Sequence, residues 1–184
     1  MLGLGVNIAI ITEGKILLTQ REDFEVWCLP GGAVDEGESV AAAAIREARE
    51  ETGLKIELTR LIGLYSRPSW PGAGMHIVSF AARSVGGEIN SDPHEVIDIG
   101  YFAPDALPND LLWWHCQRIS DAFNGVSGAA WTQDVAYPFE QHIDRAAIYK
   151  MRDESGLARR DFYYQTIGAT TNAREIRELA AEKS

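Results

Sequence analysis

The chain has 184 residues, of which 46% are hydrophobic, and a formal net charge of −10. That length suits one domain with an appendage, and the acidity argues against general nucleic-acid binding, which relies on Lys and Arg. Cys28 and Cys116 are the two cysteines and stand in no metal-type spacing, so no disulfide scaffold is suggested. The apolar N-terminus, MLGLGVNIAIITEGK, has no basic start and no small-residue cleavage pattern, and it is too short for a membrane span. A cytoplasmic protein with no membrane association is expected.

Val6 to Ile11 is an apolar, β-rich run, Glu13-Gly14 is a turn signal, and Lys15 to Gln20 is a second run; together they predict a hairpin. Arg21 to Glu25 reads as a charged loop, and Trp27 to Pro30 leads into a glycine-rich acidic turn. Val40 to Thr52 contains no Gly or Pro and holds an alanine run, which predicts a helix. Ser39 is a suitable N-cap, Glu36 and Glu38 place negative charge where the helix dipole favours it, and Gly53 suits a left-handed C-cap. Lys55 to Tyr65, Met75 to Ser84 and Val96 to Phe102 predict strands, the second ended by Gly86-Gly87. Ala103 to Pro108 reads as a turn, and Leu111 to Phe123 as a helix that gives Trp113, Trp114 and Ile119 to a core or an interface. Strands before and after one central helix imply an α/β architecture, a mixed sheet with helices packed on it.

Gly125 to Ala130 reads as a small-residue linker. It divides a domain of residues 1–124 from a C-terminal extension of residues 125–184. The extension carries eight basic and nine acidic side chains, so most of the net charge belongs to residues 1–124. Ile143 to Glu154 and Asn172 to Lys183 predict helices, the latter with Asn172 as cap and Glu175 three residues on. Burial of one large apolar side chain is worth roughly 1.5–3 kcal/mol. Trp131, Tyr137, Phe139, Tyr149, Phe162, Tyr163 and Tyr164 are therefore expected to cover the domain, a partner subunit or a cleft.

The acids of the central helix carry the chemistry. Glu47, Glu50 and Glu51 stand at i, i+3 and i+4 and share one helical face. Three such carboxylates repel one another unless a cation sits among them, and Mg²⁺, a hard ion that takes oxygen ligands, suits that place. Arg46, one turn before Glu50, is placed to orient it. Ala41, Ala44, Ile45 and Ala48 are offered to a core on the opposite face.

From Gly32 the pattern runs through five residues to Glu38, seven more to Arg46-Glu47, then Ala48, a free position, Glu50-Glu51, a free position, Gly53 and Leu54. With Leu29-Pro30-Gly31 ahead of it, this stretch resembles the signature of the Nudix hydrolases, and the resemblance covers roughly residues 3–124. It implies an α/β/α sandwich with a mixed sheet, here with a mostly helical C-terminal extension. It implies Mg²⁺ (or Mn²⁺) held by Glu47, Glu50 and Glu51, with the carbonyl of Gly31 or Gly32 as a further ligand. The implied activity is cleavage of the diphosphate bond in a nucleoside diphosphate linked to a group X, of the ADP-ribose or nucleotide-sugar type. The alternatives are a nucleoside triphosphate pyrophosphohydrolase that cleans the nucleotide pool, and a non-catalytic ligand sensor. The complete motif and the charge-balanced tail favour the enzyme over the sensor. Glu47 is the first choice for the catalytic base and Glu95 the second, with Arg46 holding Glu50 in place. Folds of this family often pair, so a homodimer with the tail at its interface is expected.

Outside the motif, Pro68 to His76 is a turn-rich loop between two predicted strands. Trp70 suits stacking on a base or simple plugging of the loop, and Arg67 or His76 suits contact with a phosphate. Pro68 and Pro71 lie near the place of a proline that the family loosely associates with ADP-ribose-type substrates. Ser66 to Pro71 echoes the longer loop of NADH pyrophosphatases but lacks that loop's Gln and second Phe-Pro. Glu95 and Asp98 lie in or beside the loop before the last strand; the resemblance implies that a comparable loop can supply an extra metal ligand or catalytic base, and the alternative is that the two only solvate a turn. His94 reads as a surface residue and Cys28 as a small buried one.

Overall fold

The computed structural model describes residues 3–70, 73–134, 137–140, 143–168, 173–179 and 182–183. Strand β1, Gly3–Thr12, turns back through Glu13 and Gly14, both at positive φ, into β2, Lys15–Arg21. The hairpin is real but short. Only Ile11 and Thr12 pair with β2, while Gly3 to Ile10 pair in parallel with β5, Met75–Gly87. Between them come β3, Trp27–Cys28, helix α1, Val40–Thr52, and β4, Leu54–Arg67, which lies antiparallel to β5. Strand β6, Val96–Phe102, pairs with β2, as β3 does, and helix α2 spans Trp113–Phe123.

The alternation of β1 explains the layering. Val6, Ile8 and Ile10 pack with Leu17 and with Ala43, Ala44 and Ala48 of α1. Ala9 points the other way, into a core with Ile62, Tyr65, Ile119 and Ala122 beneath α2. A strand with opposite faces both buried needs a helix on each side, and that gives the α/β/α sandwich. The alanines let α1 lie close to the sheet. Ile45, expected on that face, is instead 46% exposed, because the buried stripe is set by Ala43, Ala44, Ala48 and Thr52.

The C-terminal extension holds the expected helix, α3, at Arg145–Glu154, capped by Asp144, and a second, α4, at Arg159–Gln165. It also holds strands that sequence reasoning placed otherwise. The supposed linker contains β7, Val126–Ser127, and the start of β8, Ala129–Asp134, which runs parallel to β4 from Gly63↔Ala129 to Ser66↔Thr132. Its small residues serve close approach rather than slack. A side chain at Gly63 would run into the carbonyl of Ala129. The predicted helix at Asn172 to Lys183 is also corrected: Arg174–Leu179 forms strand β9, antiparallel to β8, and Glu182–Lys183 forms β10, paired with β7. Asn172, its expected cap, lies outside the described residues. The open edge of β8 supplies unpaired backbone partners, and that pairing overrides the helix-favouring composition.

The extension packs on the domain. Phe162 and Tyr163 join Phe24, Val26, Cys28, Leu112 and Trp114 in one buried cluster. Among the described residues, no helix is long and apolar enough to cross a membrane.

Candidate active site

The glycine-rich loop is stitched to β1. Val6 N–H donates to Gly32 O at 2.9 Å and Ile8 N–H to Pro30 O at 2.9 Å. Gly31 has φ of 146°, and a side chain there would strike the carbonyl of Val6 and the side chain of Asn7. A Cβ on Gly32 would meet Glu47 Oε1 at 2.5 Å. Gly31 is thus required by close approach, and the bare Gly32 leaves room for the Glu47 carboxylate beside the loop backbone. That helix begins where its local signals say. Ser39 Oγ accepts from Ala42 N–H at 3.1 Å, and Gly53, at φ 74°, donates its N–H to Arg49 O at 2.9 Å.

The three acids are not equivalent. Glu51 Oε2 accepts from Gly31 N–H at 2.9 Å. Burial pushes the Glu51 pKa up to about 7, against that hydrogen bond and the charge of Arg21, while Glu47 and Glu95 push it further up. Glu47 is also raised, by burial first, against Arg46 and with help from Glu50 and Glu95. Glu50 has a side chain 56% exposed and takes a bond from Arg46 Nη1 at 3.0 Å. The same nitrogen donates to Glu47 Oε1 at 2.9 Å. Arg46 further donates to Glu38 through Nε at 3.1 Å and Nη2 at 2.9 Å, and to Ala33 O at 3.1 Å. It ties the loop to two of the three acids. An open hollow lined by Arg49, Glu50, Gly53 and Asn90 borders this helix and takes only Glu50 from the set.

The donor chemistry fits a hard divalent cation. Glu47 and Glu51 are half-buried, Glu47 raises the pKa of Glu51, Glu50 raises that of Glu47, and Glu95 acts on both, so a cation among them relieves a cost already present. The arrangement is not a finished cage. Among the described residues, no three His, Cys, Asp or Glu side chains converge closely enough to hold one ion. Glu50 accounts for part of this, since its carboxylate is directed to Arg46.

The other predicted residues divide into two groups. Glu95, though exposed, acts electrostatically on both Glu47 and Glu51 and raises both. Asp98 is exposed, and the bond recorded for its side chain is with the N–H of Ile99, the next residue. Arg67, Trp70 and His76 belong to the end of β4 and start of β5. His76 Nδ1 meets Ser66 Oγ at 3.0 Å, and Trp70 packs edge-on against Tyr137 at 5.2 Å between centroids. Arg67 is buried against Trp70 and Trp114. Pro71 lies outside the described residues.

Sequence reasoning missed Arg21 and its support. Arg21 lies close enough to lower the pKa of Glu51. It donates through Nε to Asp23 Oδ1 at 2.9 Å and through Nη2 to Asp23 Oδ2. Asp23 also accepts from Tyr149 Oη at 3.0 Å, and its carbonyl accepts from Arg152 Nη1 at 2.6 Å. Helix α3 of the extension therefore reaches the site through Asp23. Only the charged reading of Arg21 to Glu25 hinted at this, because the partners are far along the chain.

The sequence pattern of the NUDIX domain family matches residues 1–123. A Bacillus subtilis (strain 168) protein named "Putative 8-oxo-dGTP diphosphatase" is 36% identical over 123 residues, 66% of this chain and 80% of the relative. An ADP-ribose pyrophosphatase of Methanocaldococcus jannaschii is 38% identical over 130 residues, 68% of this chain and 75% of the relative. A crystal structure of a UDP-X diphosphatase superposes with a TM-score of 0.60 at 25% identity, covering 67% of this chain and 62% of that one.

Proposed function

The chain belongs to the NUDIX domain family and is a hydrolase acting on phosphorus anhydrides, and from that premise we propose that it cleaves the diphosphate bond of a nucleoside diphosphate linked to a further group X, of the ADP-ribose or nucleotide-sugar type. The observation that carries the reading is the half-buried Glu47–Glu51 pair pressed against the Gly31–Gly32 backbone. The M. jannaschii and UDP-X relatives act, by name, on compounds of this type.

The family depends on divalent metal, and we propose Mg²⁺ or Mn²⁺ here. Glu47, Glu50 and Glu51 would hold it with the carbonyl of Gly31 or Gly32. When bound, it neutralises phosphoryl charge and acidifies water. Gly31 N–H fixes one oxygen of Glu51, which leaves the other for binding. Arg46 aligns Glu47 and Glu50 from behind. Glu47 is the proposed proton acceptor, since burial and its neighbours raise its basicity, and Glu95 is the second candidate. The products are a nucleoside monophosphate and phosphorylated X.

A second reading, pyrophosphohydrolysis of nucleoside triphosphates, is favoured by the name of the B. subtilis relative. Purified protein with Mg²⁺ against a panel of both compound types separates the two. Release of nucleoside monophosphate from X-linked diphosphates supports the first reading, and pyrophosphate release from triphosphates alone overturns it. We place the protein in the cytoplasm, where the unpaired Cys28 and exposed Cys116 stay reduced. We also propose a homodimer, with the exposed Ile176 and Leu179 of edge strand β9 as its contact.

A further inference from the structure

Arg67 is 8% exposed, yet among the described residues its guanidinium makes no hydrogen bond and no ion pair, and Nε is both buried and unbonded. It is held by aromatic rings instead. Its guanidinium carbon lies 4.9 Å from the Trp70 centroid and 4.7 Å from that of Trp114. Tyr163, brought in by α4, acts electrostatically on Arg67, and its hydroxyl is likewise buried without a partner. Burial draws the Arg67 pKa down to about 10, with only a partial offset from Tyr163 and none from a carboxylate.

A buried cation without a counter-ion costs stability, and so does an orphaned hydroxyl. Two such groups beside one another, contributed by the NUDIX region and by the extension, lack the partner that would repay both. Arg118, 1% exposed, also repels Arg67; it donates to the amide oxygens of Asn7, at 2.5 Å, and Gln133, at 2.7 Å, and Tyr65 and Glu175 offset part of the cost of its charge. Stacking on indole rings leaves a guanidinium its in-plane N–H fork, the geometry that grips a carboxylate or a phosphate. Trp70, Ser66 and His76, at the end of β4 and the start of β5, are only half-buried. The Tyr163 ring lies 5.4 Å from that of Phe24, the neighbour in sequence of the Asp23 that holds Arg21, and Arg21 acts electrostatically on both Tyr163 and Glu51.

We infer that Arg67 and the Tyr163 hydroxyl form an oxyanion subsite that takes a carboxylate or phosphate on the substrate at the end remote from the cleaved diphosphate. The inference rests on the hydrolase reading and narrows it: X, or the nucleoside, carries its own negative charge. Trp70 and Trp114 are the walls that hold the fork in place.

Matched substrate pairs test it. UDP-glucose and UDP-glucuronate differ by one carboxylate, and NADH and NADPH by one phosphate. Binding is measured by calorimetry with a chelator present, and cleavage with Mg²⁺. Hydrogen bonds to charged groups imply a preference for the charged member of at least one pair on the order of tenfold to a hundredfold, seen in Kd and in KM rather than in kcat. Arg67→Gln should reduce that ratio to about threefold or less. Arg67→Lys keeps the charge without the fork, and Tyr163→Phe keeps the ring without the hydroxyl. Each should cut the ratio to about a fifth or less at an unchanged fold, so the test survives misfolding of the Gln variant. A response to the carboxylate pair alone or the phosphate pair alone identifies the anion. Equal treatment of both members of both pairs, or a preference that persists in Arg67→Lys and Tyr163→Phe, overturns the subsite while leaving cleavage intact. A binding preference without Mg²⁺-dependent cleavage keeps the subsite and overturns the hydrolytic reading of these compounds.

Discussion

Gly31 donates its backbone N–H to Glu51 Oε2 at 2.9 Å, and so the motif's loop and the motif's helix meet at a carboxylate. The bond holds Glu51 in place without neutralising it, and burial keeps its pKa near 7. Replacing Glu51 with Gln preserves the size and removes the charge. Turnover is expected to fall by about a hundredfold or more, in line with single groups in preorganised charged sites. A chelator should abolish turnover, and Mg²⁺ or Mn²⁺ should restore it. Steady-state rates of the Glu51→Gln protein equal to those of the unaltered chain would refute the assignment.

Arg46 meets Glu38, Glu47, Glu50 and the carbonyl of Ala33 with one planar group. Arg46→Lys retains the charge but cannot span four acceptors. Groups that orient ligands typically contribute ten- to a hundredfold, so metal affinity is expected to weaken by about that factor. The melting temperature should change little, because most of these contacts are half-exposed. A metal titration identical to that of the unaltered chain would reduce Arg46 to a tether for the loop.

Acid should unfold the protein in two stages. His115 is buried, and its Nδ1 accepts from Leu29 N–H at 3.1 Å. Burial, followed by Arg118, Arg67 and Arg21, holds its pKa well below 6.5. Asp23 is held below its ordinary 3.8, because burial is outweighed by the bond and charge of Arg21 and by Tyr149. In both cases the folded pKa is lower than the unfolded one, so the unfolded chain binds more protons as pH falls, and stability is lost. The first loss begins below about pH 6.5 and the second below about 3.8. His115→Asn keeps an acceptor for Leu29 and does not titrate. Glu51, raised to about 7, acts in the opposite sense over this range, because the folded chain takes up its proton first, so the urea midpoint of His115→Asn should rise relative to that of the unaltered chain as pH falls from 6.5 to 5; parallel curves would show that His115 is not the source.

The extension is part of the fold's stability. Phe162 lies stacked 6.4 Å from Phe24, and Trp114 meets Tyr163 at 6.3 Å. Phe162→Ala is expected to cost about 3–5 kcal/mol, or on the order of 10 °C in Tm for a chain of this size. A chain ended after Asn124 loses β8 from the edge of β4 and uncovers Phe24 and Trp114. Aggregation of that chain in light scattering is the expected result. A soluble product with the full-length Tm would make residues 125–184 a separate module.

The central helix was legible because everything that defines it is local: Ser39, the alanine run, Gly53 and acids three and four apart. Five strands of the NUDIX region, β1, β2, β4, β5 and β6, were found for the same reason, with their ends moved by a few residues, whereas the two-residue β3 was read only as a lead-in to the motif. β8 and β9 were not, since Gly125 to Ala130 looks like slack until Gly63 is placed beside it, and Arg174 to Leu179 has the composition of a helix until an open strand edge is offered. At the site, the motif acids and Arg46 were readable from spacing. The Arg21–Asp23–Tyr149 connection and the pairing of Arg67 with Trp114 and Tyr163 were not, because folding alone brings such distant positions together.

The parallel pairing of β8 with β4 has a consequence for how the protein is made. During synthesis the strands before residue 124 leave the ribosome with β4 already bordered by β5 on one side and by nothing on the other. Leu61 and Leu64 still have side chains 46% and 41% exposed in the finished fold, and they flank Gly63, where the late strand attaches. Until residues 129–134 emerge, and then 174–179, this edge is a template for any passing strand. The nascent chain therefore carries its greatest risk of misassembly at the moment its catalytic motif is already complete.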